Sequence, residues 1–373
     1  MGLKLDNKMK RVLIISVEYP PKCGGAGRVA EDNVEYLSNN GFEVDIVTTY
    51  DSHISRKKNV NYYLLKHKPV VFVLSFIIQL KKMNLSQYQT IILNDIGAAL
   101  VASYIFDDFL LSKSLIYIHG GEPEEVLLKP KALFKAVQFP HKYKKMLLSS
   151  KRIVCVSEFM RMKMMKIVSD IPSSKFSVIY NGVNKQDFYK DPFDIRKEYG
   201  LEKNTTVIFS ASRVIVEKGY DDVFDVISKC INEGEKIAWF IAGEGDYVTI
   251  LKTKIHNNHL EDNIFLLGNL NRESLRKYYS SADLFVLLSK FEEAYGLVYL
   301  ESIYCLTPVV ALKNGGTNEA IIDRVNGFIV KDRDECYQVI KKKQFLKITE
   351  PGIKDSLSQY DLSKEELKCL CSN

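Results

Sequence analysis

The sequence predicts an α/β protein made of two Rossmann-like, doubly wound parallel-sheet domains facing across a cleft. Three observations lead there. Short runs rich in Val and Ile recur along the chain without polar alternation, as strands covered on both faces require. Helix-length segments separate those runs, and repeated β-then-α order builds a doubly wound sheet. The pattern pauses once, near the middle of the 373 residues, and a chain of that length suits two domains.

In the first half the predicted strands are RVLIISV (11–17), EVDIVTT (43–49), TIILN (90–94), SLIYIH (114–119), RIVCVS (152–157) and SVIYN (177–181). In the second they are TVIFSA (206–211), KIAWFIAG (236–243), NIFLLG (263–268), DLFVLLS (283–289), PVVAL (308–312) and GFIV (327–330). Between them 182–204 is polar, contains Pro192 and Gly200, and reads as the join between two sheets. This gives domains at 1–185 and 186–360, with the segment 361–373 returning to the first. Ser363 stands three residues before Glu366, a capping-box signature for a last helix.

Composition is that of a globular protein, 46% hydrophobic and 26% charged, with a net charge of +6. The stretch 129–152 holds eight Lys/Arg and no carboxylate, interleaved with Leu133, Phe134, Val137, Phe139, Met146, Leu147 and Leu148. Such a segment suits an anionic membrane surface, and a lysine-rich solvated face has the same composition. No nucleic-acid partner is expected. The seven cysteines are odd in number and several lie in apolar runs, which implies buried thiols in a reducing compartment. The pair in CLC lacks the partners of a zinc site. The first residues carry no cleavable apolar signal, and Asp6 stands where a myristoylation signal needs Ser or Thr. The apolar run 70–80 is too short to span a bilayer. The expected location is cytoplasmic, with peripheral attachment to the inner face of a membrane through 129–152.

Ligands of open α/β sheets bind beyond the carboxyl ends of strands, and the chemistry-bearing motifs all follow predicted strands. PPKCGGAG places Gly24, Gly25 and Gly27 in a loop entering a helix, where backbone N–H groups can approach an anion. It is neither GxGxxG nor a P-loop, and a plain strand–helix turn fits it as well. IYIHGGE (116–122) puts His119 at a strand end, suited to a substrate hydroxyl or proton transfer, or to capping a turn. SASRVIVEKGY (210–220) sets Arg213 and Lys218 five residues apart, a guanidinium fork and a point charge suited to a diphosphate. AGEGD (242–246) is a glycine turn at Gly243. In KFEEAYGLVYLES (290–302), Glu293 precedes a helix starting near Gly296, and Glu301 falls in its second turn. Eight residues turn about 800° on a helix, so the two glutamates are not one continuous face. KNGGTNEAI (313–321) is a further glycine turn, with Glu319. DRD (332–334) reads as a helix-start charge cluster.

In this order, over about 11–335, the motifs resemble the retaining glycosyltransferases of the GT-B fold, family 4 (glycosyl transferases group 1). Pro20, Pro21, Gly24 and Gly25 match the family's opening turn, His119 its strand-end histidine, and NGVN (181–184) its Asn-Gly-Val. Arg213, Lys218 and Gly219 match Arg-x4-Lys-Gly, and Glu293 and Glu301 match Glu-x7-Glu. PVVA (308–311) and Gly315 to Glu319 match the segments that follow.

The resemblance implies a nucleoside diphosphate sugar as donor, no cofactor, and no metal. Arg213 and Lys218 would neutralise the diphosphate, and the Gly24–Gly25 backbone would approach it. Glu301 would bind the ribose diol; the glycine turn at Gly243, read by itself, suits close backbone approach to a base or ribose, though a plain turn fits it better. Glu293 and the backbone of Ala294, Tyr295, Gly296 and Leu297 would hold the sugar, with His119 touching it too. Because a carboxylate repels phosphate, glutamates should meet hydroxyls and cations the diphosphate. The first domain would take a saccharide or lipid-linked acceptor, in surface polysaccharide or glycolipid assembly. Leu306 departs from the family's usual Gly and would be strained if its φ is positive; Asn318 replaces a frequent Pro. Two other readings fit less well. A nucleotide-sugar 2-epimerase is disfavoured by the Glu-x7-Glu placement. A non-catalytic membrane-associated subunit would have no need of the donor motifs.

Overall fold

The structure is a computed structural model describing residues 10–21, 24–54, 56–66, 71–360 and 363–372. The chain divides into two compact units, Met1–Asn181 with Leu362–Asn373, and Gly182–Asp361.

The first unit carries a seven-stranded parallel sheet ordered β3-β2-β1-β4-β5-β6-β7. Its strands are β1 (Arg11–Ile15), β2 (Glu43–Thr49), β3 (Val60–Leu65), β4 (Thr90–Leu93), β5 (Ser114–Ile118), β6 (Arg152–Cys155) and β7 (Phe176–Val178). The central strands β4 and β5 are buried at every residue, which is why they read as unbroken apolar runs. The helix Ser363–Ser372 belongs to this unit, burying Leu367 and Cys371. Lys10 and Lys151 donate from the unit's body to the carbonyls of Ser372 and Leu370, at 2.9 and 2.7 Å. The Ser363 side chain, on which the capping-box reading rests, lies outside the described residues, as does Cys23.

The second unit carries a six-stranded parallel sheet ordered β10-β9-β8-β11-β12-β13. These strands are β8 (Thr206–Ala211), β9 (Ile237–Ala242), β10 (Ile264–Gly268), β11 (Leu284–Leu287), β12 (Val309–Leu312) and β13 (Gly327–Val330). Trp239 of β9 is fully buried and donates to Ser210 of β8, 2.9 Å, which donates to the Val286 carbonyl of β11, 2.6 Å. One polar chain thus ties three apolar strands in register.

Both sheets reverse their strand order once, between β1 and β4 and between β8 and β11. Loops on either side of such a reversal diverge and leave a crevice at the carboxyl edge.

Three features differ from the sequence reading. β3 was not predicted: it is an edge strand, partly exposed along its length, so it lacks a fully apolar run. The apolar run after it forms the helix Phe72–Lys82. The polar segment 182–204 is no free join. Asp191 N–H donates to Ser280 Oγ at 2.9 Å, Ile195 N–H to Ser281 Oγ at 3.2 Å, and Arg276 pairs with Asp191 at 3.1 Å, seating the segment on the helix Arg272–Ser281.

Leu306, the departure noted above, has φ +61°. The left-handed conformation costs a residue with a Cβ about 1–2 kcal/mol. Leu306 is also buried, and burying a leucine side chain contributes about 2 kcal/mol, which offsets the strain. Leu306→Ala keeps the strain and loses the burial; Leu306→Gly loses both. Urea denaturation should therefore find the Gly variant more stable than the Ala variant by about 1 kcal/mol. The opposite order would mean the position is unstrained.

Candidate active site

In the second unit the carboxyl edge of the sheet gathers most of the motif residues. Arg213 lies just past β8, exposed, with no ion-pair partner among the described residues. Lys218 closes the short turn Val216–Lys218 before the helix Tyr220–Asn232. Glu293 lies in the loop after β11, and its Oε1 is 2.5 Å from Lys218 Nζ, each side chain 13% exposed. The Phe291 ring lies 5.4 Å from the same ammonium. Two charges with so little water need each other, because removing one leaves the other part-buried and unpaired.

This is a difference from the sequence reading, which set glutamates and cations apart. The chain itself joins Lys218 to Glu293 across the β8–β11 reversal. Spacing along the sequence could not reveal it, since the residues are seventy-five positions apart.

The Glu293 backbone is held as closely as its side chain. Gly316 N–H donates to the Glu293 carbonyl at 2.7 Å. Gly315 has φ +58°, and a Cβ there would lie 2.2 Å from that carbonyl oxygen. No larger residue fits, so the glycine turn after β12 is a seat for the Glu293 loop. Ala294 and the buried Tyr295 continue that loop to Gly296. The helix Leu297–Tyr304 then begins, with Glu301 in its second turn. Tyr279 donates to Glu301 Oε2 at 2.9 Å, and burial, reinforced by that carboxylate, pushes its hydroxyl pKa well up. The Tyr279 bond orients the Glu301 carboxylate toward a pocket of about 220 Å³ lined by Arg213, Gly243, Glu244, Asn269, Leu270 and Val298 among others. Gly243 has φ +130°, and a Cβ there would lie 1.9 Å from the Ser212 carbonyl oxygen. The loop after β9 therefore packs backbone to backbone on the loop carrying Arg213.

DRD is a helix start: Asp332 accepts from Glu335 N–H at 2.9 Å and caps the helix Arg333–Lys341.

The remaining predicted residues, Gly24, Gly25 and His119, belong to the first unit. Gly24 N–H donates to Glu18 Oε2 at 3.0 Å, and Gly25 opens the helix Gly25–Asn39. The N–H group expected to approach a ligand anion faces a carboxylate of its own chain. The loop before it is held by Asp95, just past β4. Its Oδ2 accepts from Val17 N–H at 2.7 Å, Glu18 N–H at 3.0 Å and the Ser16 hydroxyl at 2.9 Å. Its Oδ1 caps the helix Ile96–Ala102 through Ala98 N–H, 2.8 Å. Burial still raises the Asp95 pKa, because desolvation outweighs those bonds. The sequence reading missed Asp95. The polar pair Asn94-Asp95 directly after an apolar strand was the available signal.

His119 follows β5 and stacks on the Tyr117 ring, centroids 5.6 Å apart. Its Nε2 is buried and has no hydrogen-bond partner among the described residues. Desolvation lowers its pKa from 6.5 to about 4, against the smaller effects of the Asn94 backbone, Asp95 and Glu18.

Comparison with known proteins gives this geometry a family. Residues 23–187 match the sequence family described as Glycosyltransferase Family 4, and residues 191–350 the one described as Glycosyl transferases group 1. The chain belongs to the group 1 glycosyltransferases. It is 25% identical over 338 residues to an uncharacterised glycosyltransferase of Methanocaldococcus jannaschii, covering 86% of this chain and 85% of that one. It is 23% identical over 345 residues to a GDP-mannose-dependent alpha-(1-6)-phosphatidylinositol monomannoside mannosyltransferase of Mycobacterium tuberculosis, covering 87% and 86%. The fold matches Anabaena HepE, crystallised with UDP-glucose, at a TM-score of 0.78 and 18% identity over 97% of this chain and all of that one. As in this group 1 chain, the two sheets there carry a GT-B fold.

The His119 shift has a measurable sign. A ring held neutral in the folded state contributes stability that is complete above about pH 6.5. That contribution is lost as pH falls from 6.5 towards 4, because the unfolded chain takes the proton first. His119→Gln should flatten the fall in urea-unfolding free energy over this interval relative to the unsubstituted protein. Equal slopes would show that the folded ring titrates normally.

Proposed function

We propose that this protein is a retaining glycosyltransferase that moves a sugar from a nucleoside diphosphate sugar to a saccharide or lipid-linked acceptor. The observation that carries the reading is the arrangement at the β8–β11 reversal. Arg213, without an ion-pair partner among the described residues, and Glu301, oriented by Tyr279, line one pocket, and the Lys218–Glu293 pair stands at the same carboxyl edge, on loops fitted backbone to backbone.

Arg213 and Lys218 bind the diphosphate. The bond that breaks joins the sugar's anomeric carbon to a phosphate oxygen, and the leaving group departs as an anion. Fixed cations stabilise the charge that grows on it, without the reorganisation that water would need. Diphosphate draws Lys218 toward itself, and Glu293 then accepts hydrogen bonds from the sugar hydroxyls, aided by the Ala294–Leu297 backbone. Glu301, oriented by Tyr279, accepts from the ribose diol. His119, kept neutral by burial, exchanges one hydrogen bond with a substrate hydroxyl. Retention follows if the acceptor attacks from the face that the diphosphate leaves. The relatives differ in base, GDP for the mycobacterial enzyme and UDP for HepE, so both classes of donor belong in the test.

Isothermal titration with UDP- and GDP-sugars should find binding to one class. Arg213→Ala and Lys218→Ala should each lower kcat/KM by roughly 10²–10³. No binding to either class, with no donor hydrolysis, would end this reading.

A lipid-linked acceptor is supported by the mycobacterial relative's name and by one face of the first unit. The 129–152 segment needs correction here. Phe139, Met146 and Leu147 point into the core with Tyr143, at helical spacing, so they are not a membrane-facing stripe. Lys129, Lys135 and Lys145 face outward without carboxylate partners among the described residues, and Leu133 is 67% exposed. Leu148 is exposed as well, and a further apolar contribution comes from the helix Phe72–Lys82, where Val71, Leu74 and Ile78 are outward and Lys81 and Lys82 close the last turn. Right-handed crossovers put both helices on the same face of the sheet, with Ile96–Ala102 packed between them. No helix among the described residues is long and apolar enough to cross a membrane. Vesicle sedimentation should show binding to anionic lipid that weakens with salt and with the double variant Leu74→Gln/Ile78→Gln. Equal binding to neutral vesicles, or none to either, would contradict it.

A further inference from the structure

We propose that Glu122 is a positioning residue that fixes where the His119 imidazole points; this rests on the reading of His119 as a substrate-contacting group. Glu122 is 3% exposed, and both its oxygens turn back on the strand end that carries His119. Oε1 and Oε2 each accept from His119 N–H at 3.1 Å, and Oε2 accepts from Gly120 N–H at 2.8 Å.

These two amides flank the Cα of His119. Fixing both peptide planes fixes the backbone dihedrals between them, and so the direction of the Cα–Cβ bond. The Tyr117 ring then limits the imidazole from one side. What emerges is a ring whose Nε2 is buried and has no partner among the described residues. A buried, unpaired ring nitrogen is a cost that a satisfied structural histidine does not carry, and it suits a group kept ready for a ligand.

The turn explains why a carboxylate stands here. β5 ends at Ile118, and the next two N–H groups have left the sheet ladder. A carboxylate presents an acceptor at both oxygen positions, whereas an amide with its oxygen at the Oε2 position sets its NH2 against the His119 N–H. Burial raises the Glu122 pKa, opposed by these backbone bonds. Tyr143 and Cys155 lie near enough to feel its charge, so it is enclosed from the helix Phe139–Ser149 and from β6. It has no place at the reacting atoms and acts through His119.

The test is a double-mutant cycle of Glu122→Gln and His119→Ala, read by kcat, donor KM, donor affinity by titration, and thermal unfolding. Glu122→Gln should stay folded, keep donor KM within about twofold, and lose kcat by about ten- to a hundredfold through misorientation of the ring. In the His119→Ala background the same substitution should cost nothing further. Losses that multiply in the double variant, or an unchanged kcat in the single one, would overturn the proposal. Should Glu122→Gln fail to fold, Glu122→Asp keeps both oxygens, and its loss must likewise vanish without His119. If the unsubstituted protein turns over donor and His119→Ala is harmless, this proposal alone fails. If the unsubstituted protein binds no nucleotide sugar, the glycosyltransferase reading fails and takes this one with it.

Discussion

The ion pair between Lys218 and Glu293 closes the point where the second sheet reverses its strand order. Lys218 comes from the connection after β8 and Glu293 from the one after β11. Those connections diverge to opposite faces of the sheet, so nothing in the strand ladder sets the distance between them. The 2.5 Å contact does so together with the Lys290 and Phe291 N–H groups, which donate to the Glu217 carbonyl at 2.7 and 3.1 Å. It is reinforced from behind by Gly315 and Gly316, whose backbones meet the Glu293 carbonyl. Arg213, Gly243 and Glu301 take their places around this fixed point. A ligand with phosphate for the ammonium and hydroxyls for the carboxylate can exchange one set of partners for another without leaving a charge bare. On the proposed function the pair is both a structural clamp and the place where such a ligand binds.

The first unit uses the same device with different chemistry. At its own reversal, between β1 and β4, Asp95 gathers two backbone N–H groups and a hydroxyl from the loop after β1 and caps the helix that follows β4. Glu122 does likewise after β5. Each carboxylate satisfies donors that the sheet ladder cannot reach, and each leaves its loop rigid where the fold would otherwise allow spread. Carboxyl-edge loops of parallel sheets can hold functional groups accurately when such anchors exist.

Strands were legible from the sequence where burial is two-sided, because β4, β5, β8 and β9 have no polar face to confuse the pattern. β3 escaped because an edge strand is half exposed. Part of the apolar set of 129–152 was misread: Phe139, Met146 and Leu147 are buried while Leu133 and Leu148 stay exposed, because composition does not say what covers a face. At the site, residue types and order were legible: Arg213, Lys218, Gly243, Glu293 and Glu301 do converge on one edge. Pairings were not. The contact of Lys218 with Glu293, the return of Glu122 onto His119, and the engagement of Gly24 by Glu18 all depend on chain reversals that sequence spacing does not encode. The φ of Leu306 was only conditionally legible, from a resemblance to a family that usually has Gly there, and the structure makes it positive.

In the proposed function, the clamp at the β8–β11 reversal is the diphosphate site. A crystal structure with a bound nucleoside diphosphate sugar tests it most directly. Diphosphate oxygens should lie within hydrogen-bond distance of both Arg213 and Lys218, with the ribose diol on Glu301. A diphosphate seated elsewhere, with Lys218 and Glu293 still joined and Arg213 facing solvent, would contradict it.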